Sequence, residues 1–355
     1  MTSREEKLAI ALALIDCDAY VSGNPVDITY FTGSEETSGI VLLQPGQRPV
    51  LFVGLSGALH AAETAPGAEI VSYSLDDHYE TSLTQLFNTR NTPRVASGRV
   101  SPPIARVLHD IVGMSVTEAP ELSARLRRCK EPEELDLLRL TAGIADAATA
   151  AGMRSIRIGA SELEAAAALE ATARRMGCTG AMAPAQVKGG ERTWFADAPA
   201  GDRAFQDGDL GFLDLGIKYR GYMGDMSRAF TIGEISIERQ RLLETVDRVQ
   251  LMVRAMVRPG VPCRDIDTEA RRAFADAGYP DAFPHHLGHA MGLGDDVPRL
   301  VPTSDDVLEV GDVVTVEPGL YVRNVGGCRI EDVVVVRADG NEILSKHPRI
   351  TVIPT

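Results

Sequence analysis

Residues 208–231, GDLGFLDLGIKYRGYMGDMSRAFT, set two aspartates, Asp214 and Asp225, inside apolar, β-prone runs. A carboxylate in such surroundings is costly to bury without a partner, and a metal ion is one partner that removes the cost. Any fold this chain adopts must bring a positive charge to both. Three more groups follow in equally apolar settings: His289 in HHLGHAMGL, Glu317 in VVTVEPGLYV and Glu331 in CRIEDVVVV. Singly each is unremarkable, because buried acids are structural as often as functional. Together, on five separate strand-like pieces, they are the donors that a pair of divalent cations about 3.5–4 Å apart requires.

The length, 355 residues, leaves room for one large domain or two ordinary ones. Helical and strand-like stretches alternate throughout, which predicts an α+β (mixed α/β) architecture. A formal net charge of −14 argues against a nucleic-acid partner, since no basic stripe exists to displace counterions. The cysteines, Cys17, Cys129, Cys178, Cys263 and Cys328, are scattered, odd in number and without CxxC spacing, which suits a reducing compartment. The apolar run LAIALALI is too short to span a membrane and follows the mixed-charge SREEK. It reads as an amphipathic helix of a cytoplasmic protein.

A first domain is expected over residues 1–125. Its helix EEKLAIALALI leads to a strand in DAYVSG, then to a loop carrying Asn24 and Pro25. Two strands, SGIVLLQPG and RPVLFVG, follow around the turn QPGQ. His60, His78 and His109 lack ligand spacing and carry no functional assignment. A second domain is expected over 126–355. Its long first helix is signalled by Lys130, Glu131 and Pro132, and its second by Ser161 with Glu164 three residues on, a capping box. A hairpin bearing Asp214 and Asp225 comes next, then helices in IERQRLLETVDRVQLMVRAMV and CRDIDTEARRAFADAG. Strands carrying His289, Glu317 and Glu331 close the chain.

DLG at Asp214, GDMSRAF at Asp225, GHAMGL at His289, TVEPGLY at Glu317 and RIEDVVVV at Glu331 resemble, in identity and order, the motifs of the pita-bread metallopeptidases. That family includes methionine aminopeptidase, aminopeptidase P, prolidase and creatinase. NPVDITYFTG near residue 24 is similar to the N-terminal domain shared by the last three. The resemblance implies a creatinase/prolidase-type α/β domain followed by a curved antiparallel sheet covered by helices. It implies a metal ligand set of Asp214, Asp225, His289, Glu317 and Glu331. It further implies two divalent ions, with Mn2+ or Co2+ favoured and Fe2+ or Zn2+ open, because oxygen-rich sites do not select zinc. A hydroxide bridging the metals would cleave the bond before proline in short peptides, with Glu317 relaying the proton. His285, four residues before His289, and Arg329 match substrate-side positions of the proline-specific branch. A homodimer is also implied.

This sequence departs from the family at two histidines. The segment VKGGERTWFADAPAGDRAF has Asp197 where the family's ASGxNxxxPH carries its histidine, and GLGDDVPRL has Asp295 or Asp296 near the histidine of GLxxHExP. A neutral imidazole can donate to a developing oxyanion, whereas a carboxylate repels it. The acids suit a cationic substrate or a base that abstracts a carbon-bound proton. A lyase or amidohydrolase acting on a small charged molecule, similar to the family's dimethylsulfoniopropionate lyase, therefore stands beside the peptidase reading. A weakly catalytic binding protein is a third possibility, and the costly ligand set speaks against it.

Overall fold

The computed structural model describes residues 4–35, 39–74, 79–90, 93–111, 115–294 and 297–355. His78, Asp295 and Asp296 lie outside these described residues. The chain divides into two compact units, Met1–Arg127 and Arg128–Thr355.

The first unit runs α1 (Arg4–Leu14), β1 (Ala19–Ser22), α2 (Pro25–Thr32), β2 (Ile40–Leu43), β3 (Val50–Gly54), α3 (Leu55–Thr64), β4 (Glu69–Tyr73), α4 (Tyr79–Arg90), β5 (Arg94–Ser97), α5 (Pro102–Arg106), β6 (Ser115–Glu118) and α6 (Leu122–Leu126). Its sheet has the order β4-β3-β2-β1-β5-β6, antiparallel at β1–β2 and β2–β3 and parallel at the other pairs. Alternate residues feed two cores, Tyr20, Val41 and Leu51 on one face and Val21, Leu42 and Phe52 on the other. Strands covered on both faces read as unbroken apolar runs. One expectation needs correction here: residues 25–32 form a helix, not a loop. Asn24 Oδ1 accepts from Val26 N at 3.1 Å and Pro25 supplies the first helical φ, so the Asn-Pro pair starts a helix where it reads as a turn.

The second unit begins with α7 (Pro132–Ser155) and α8 (Glu162–Arg175). Both open on a capping box, which the sequence signals at Ser161 and the structure adds at Glu131. Glu134 Oε2 accepts from Glu131 N at 3.0 Å, and Ser161 Oγ accepts from Glu164 N at 3.2 Å. Then come β7 (Gly180–Ala181), β8 (Gln186–Gly189), β9 (Leu210–Tyr219), β10 (Tyr222–Ile232), α9 (Ile237–Met256) and α10 (Cys263–Asp276). Six strands close the chain: β11 (Val313–Val316), β12 (Gly319–Val322), β13 (Gly326–Arg329), β14 (Asp332–Arg337), β15 (Gly340–Ile343) and β16 (Ile350–Ile353).

The β9–β10 hairpin is the centre of the main sheet, β16-β10-β9-β7, with β8 also paired to β9. One face of the hairpin (Leu213, Leu215, Met226, Phe230) packs under α7 and α8 with Ala148, Ala165 and Leu169. Gly224 permits this approach, because a Cβ there would meet the Thr141 carbonyl oxygen of α7 at 3.0 Å. The other face (Leu210, Phe212, Ala229) packs with α9, α10 and the β11 and β14 strands. The site lies on that second face.

Candidate metal centre

Register decides which side chains meet. Asp214 on β9 sits opposite Ser227 on β10, and Asp225 is two residues from Ser227, so the pleat turns all three to one face. Strand-like settings were expected for the remaining donors, and here the structure differs. His289 lies between two isolated bridges, at Gly288 and Ala290, Glu317 follows the end of β11, and Glu331 falls in the gap between β13 and β14. The chain changes sheets at that gap. Ile330 N donates to Pro318 O at 3.4 Å, then Glu331 N donates to Ser227 O at 3.0 Å, before Asp332 pairs with Val316. Glu331 thus projects where the chain changes sheets, while His289 and Glu317 sit on a short paired stretch in which Thr315 N donates to His289 O and Glu317 N to Leu287 O, each at 2.8 Å.

The result is a pocket of about 370 Å³ lined by Met182, Asp197, Asp214, Asp225, His285, His286, His289, Glu317, Arg329 and Glu331. Every described residue singled out from the sequence is among them. His289 Nδ1 faces the Ala290 carbonyl at 3.0 Å and so carries a proton, which makes Nε2 the nitrogen turned to the acids and the one whose lone pair a metal ion would take in place of a proton. That Nε2 is 3.6 Å from Asp225 Oδ2 and 3.7 Å from Glu317 Oε1. Two sets of donor atoms lie within 4.8 Å of one another, Asp225 with His289 and Glu331, and His286 with His289 and Glu317. Asp214 belongs to neither set; its Oδ2 is 2.6 Å from Ser227 Oγ and 2.9 Å from Arg329 Nε.

The protein's own charges leave this cluster unbalanced. Burial, then the neighbouring Asp225, Glu317 and Asp214, raises Glu331 well above the usual carboxylate range. Burial likewise lifts Asp225 to about 6. Glu317 falls to about 2 despite its burial, held by His286, His289 and Arg329. Burial pulls His289 down, but Asp225 and Glu317 outweigh it and raise it to about 9. Glu331 Oε1 is buried without a hydrogen-bond partner among the described residues. An orphaned carboxylate oxygen in a set of hard oxygen and imidazole donors fits a divalent cation.

Four participants were missed in the sequence. His286 stands 3.2 Å from Glu317 through Nε2, and the HH doublet was its signal. Tyr321 accepts from Arg329 Nη1 at 3.1 Å and lies 3.0 Å from His285 Nε2. Because His285 Nδ1 faces the His286 carbonyl at 2.8 Å, it carries the proton, and Nε2 accepts from the tyrosine. Burial and Arg329 keep that ring neutral, with its pKa near 4. Ser227, 3.1 Å from Glu331 Oε2, links two acids, and Lys188, fully buried on β8, has no sequence signal at all.

A mixed α/β N-terminal unit followed by a helix-covered sheet with a pocket of acids and imidazoles defines a two-domain protein of the pita-bread class. The profile of Metallopeptidase family M24 matches residues 136–338, and that of the Creatinase/Prolidase N-terminal domain matches residues 4–128. An uncharacterized peptidase of Staphylococcus aureus is 30% identical over 340 residues, covering 94% of this chain and 95% of that protein. Among solved structures, an Xaa-Pro dipeptidase from Bacillus anthracis superposes with a TM-score of 0.91 at 28% identity, covering 99% of both chains. An X-Pro aminopeptidase from Thermotoga maritima superposes with a TM-score of 0.87 at 27% identity, over 97% of this chain and 100% of that one. The chain belongs to metallopeptidase family M24, and it is a metal-dependent peptidase hydrolase. Among the described residues no helix is long and apolar enough to cross a membrane.

Proposed function

We propose that this protein is an Xaa-Pro dipeptidase or Xaa-Pro aminopeptidase that cleaves the bond before proline in short peptides. The observation that carries the reading is the unpartnered, buried Oε1 of Glu331 within a cluster of acids and imidazoles. The likeness to an Xaa-Pro dipeptidase and an X-Pro aminopeptidase, each over at least 97% of the chain, supports the substrate class. Asp214, Asp225, His289, Glu317 and Glu331 are the proposed ligands of two divalent ions, Mn2+ or Co2+ in first place and Fe2+ or Zn2+ after them. Such ions, when bound, supply Lewis acidity and bring the pKa of water toward neutrality.

The chain's own residues do the rest. Glu317 takes the proton from the attacking water and returns it to the leaving amine; Thr315 Oγ1, 3.1 Å from its Oε1, holds the carboxylate in place. Arg329 orients Asp214 and, through Tyr321, His285, so that one guanidinium braces the substrate-facing wall. A homodimer in the cytoplasm is the proposed setting.

A second reading is a lyase or amidohydrolase acting on a small charged molecule, with Asp295 or Asp197 as base or cation-binding group. Asp197, exposed on the pocket wall, favours it. Incubation of Mn2+- or Co2+-loaded protein with Ala-Pro and Leu-Pro separates the two. Free proline is expected, and metal-loaded protein that releases none from any Xaa-Pro peptide moves the assignment to the second reading.

A further inference from the structure

Residues 190–201 form a loop between β8 and β9 that reaches the pocket through Asp197, and an unusual set of buried groups secures it. Glu162 at the start of α8 is fully buried, and its carboxylate accepts from Gly189 N at 3.1 Å, Gly201 N at 2.9 Å and Arg192 Nε at 2.9 Å. The loop's two ends are thereby drawn to one carboxylate. Thr193 Oγ1 accepts from Gly327 N at 2.7 Å, tying the loop's middle to β13, the strand that carries Arg329. Gly327 allows this contact, since a Cβ there would meet the Thr193 carbonyl oxygen at 2.6 Å.

Lys188 completes the arrangement. Its side chain is fully buried, and Nζ donates to Phe195 O at 2.7 Å, Ala196 O at 2.8 Å and Gln186 Oε1 at 2.8 Å. All three ammonium donors are used, two of them on the carbonyls just before Asp197. The same nitrogen lies 4.5 Å from the centroid of the Phe212 ring, and the Arg329 guanidinium lies 5.4 Å from it. A buried cation is costly unless its donors are satisfied, and these three acceptors supply that compensation. Burial and Arg329 together draw its pKa down to about 7.

We infer that Lys188 is a positioning residue that clamps the Phe195 and Ala196 carbonyls, and so holds the Asp197 carboxylate on the pocket wall to receive the ammonium group of the substrate. Asp197 Oδ1 is 3.8 Å from Arg329 Nη1, yet its side chain is 79% exposed, so one flank stays open to a ligand cation. The inference rests on the proposed action on short peptides, whose free amino terminus supplies that cation.

Trp194, the only tryptophan, sits in this loop next to Phe195 and is partly exposed, so its emission reports the loop directly, with or without turnover. The test compares wild type, Lys188→Met, Asp197→Asn and the double variant by Trp194 fluorescence anisotropy and by steady-state kinetics on Ala-Pro. Lys188→Met is expected to lower the anisotropy and to raise KM about 10-fold with kcat within about 2-fold, as the loss of one charge-assisted contact gives. Asp197→Asn is expected to raise KM equally while leaving the anisotropy as in wild type. The double variant should be no worse than either single one. Unchanged anisotropy and KM in Lys188→Met, or KM effects that multiply in the double variant, overturn the inference. Should Lys188→Met fail to fold by circular dichroism, Lys188→Gln, which keeps amide donors, is read against the same outcomes. Wild type inactive on every dipeptide refutes the proposed function, whereas the anisotropy of Lys188→Met still decides the clamp.

Discussion

Arg329 Nε lies 2.9 Å from Asp214 Oδ2, and the same guanidinium donates to Tyr321 Oη at 3.1 Å. One side chain from β13 thus orients an acid of the central hairpin and the tyrosine that faces His285. Lysine keeps the charge but loses the planar fork that serves both partners. Arg329→Lys is expected to retain bound metal and to lose about 100-fold in kcat/KM, the usual effect of a small misplacement at a reacting centre. Metal analysis beside dipeptide kinetics checks it.

Ser227 stands between Asp214 Oδ2 at 2.6 Å and Glu331 Oε2 at 3.1 Å. Ser227→Ala removes a contact from both acids, leaving Asp214 held by Arg329 and Glu331 without its serine partner, and affinity for Mn2+ is expected to fall by about 10–100-fold, as when an outer partner of a ligand is removed. Isothermal titration calorimetry reads this directly. Unchanged affinity would mean that the hydroxyl does not orient the ligands.

Asp332 follows Glu331 but turns to the opposite side, where Arg228 Nη2 at 2.9 Å, Gln250 Nε2 at 2.7 Å and Arg254 Nη1 at 2.6 Å surround it. Arg228 and Asp332 are each 1% exposed. Removing one member strands a buried charge, so Asp332→Ala is expected to cost about 3–5 kcal/mol. Urea unfolding of the metal-free protein, followed by circular dichroism, measures it.

Glu342 accepts from Arg139 Nε at 2.9 Å and from Arg337 Nε at 2.9 Å. The Arg139 hydrogen bond, then that of Arg337, outweighs the small cost of its burial and lowers the carboxyl to about 2. A depressed folded pKa stabilises above the unfolded value, about 4.3, and that stabilisation fades as pH falls toward 2. Glu342→Gln is therefore expected to be less stable than wild type at pH 7, with the gap closing between about pH 4.3 and pH 2. The gap is small, because the carboxylate is one-third exposed. Thermal melts of both proteins across that range test the sign.

Much of this was legible in the sequence because it depends on local chemistry. The helix start at Pro132, the capping box at Ser161 and the Asp214/Asp225 hairpin are written in neighbouring residues. Asn24 and Pro25 read as a loop because turn and helix start share the same residue types. The switch of sheets at Ile330–Glu331 was not legible, since VVVV on one side and CRI on the other read as a single strand. Lys188 was hidden for a stronger reason. A lysine is ordinarily exposed, and only the folded loop brings the Phe195 and Ala196 carbonyls to its ammonium.

Free proline released from Ala-Pro, measured against Mn2+ equivalents added to metal-free protein, tests the central claim most directly. Release is expected to be absent without metal and to rise until about two equivalents are bound, as a paired-ion hydrolase requires. Bound Mn2+ with no proline released at any loading, from Ala-Pro or from other Xaa-Pro dipeptides, would contradict it.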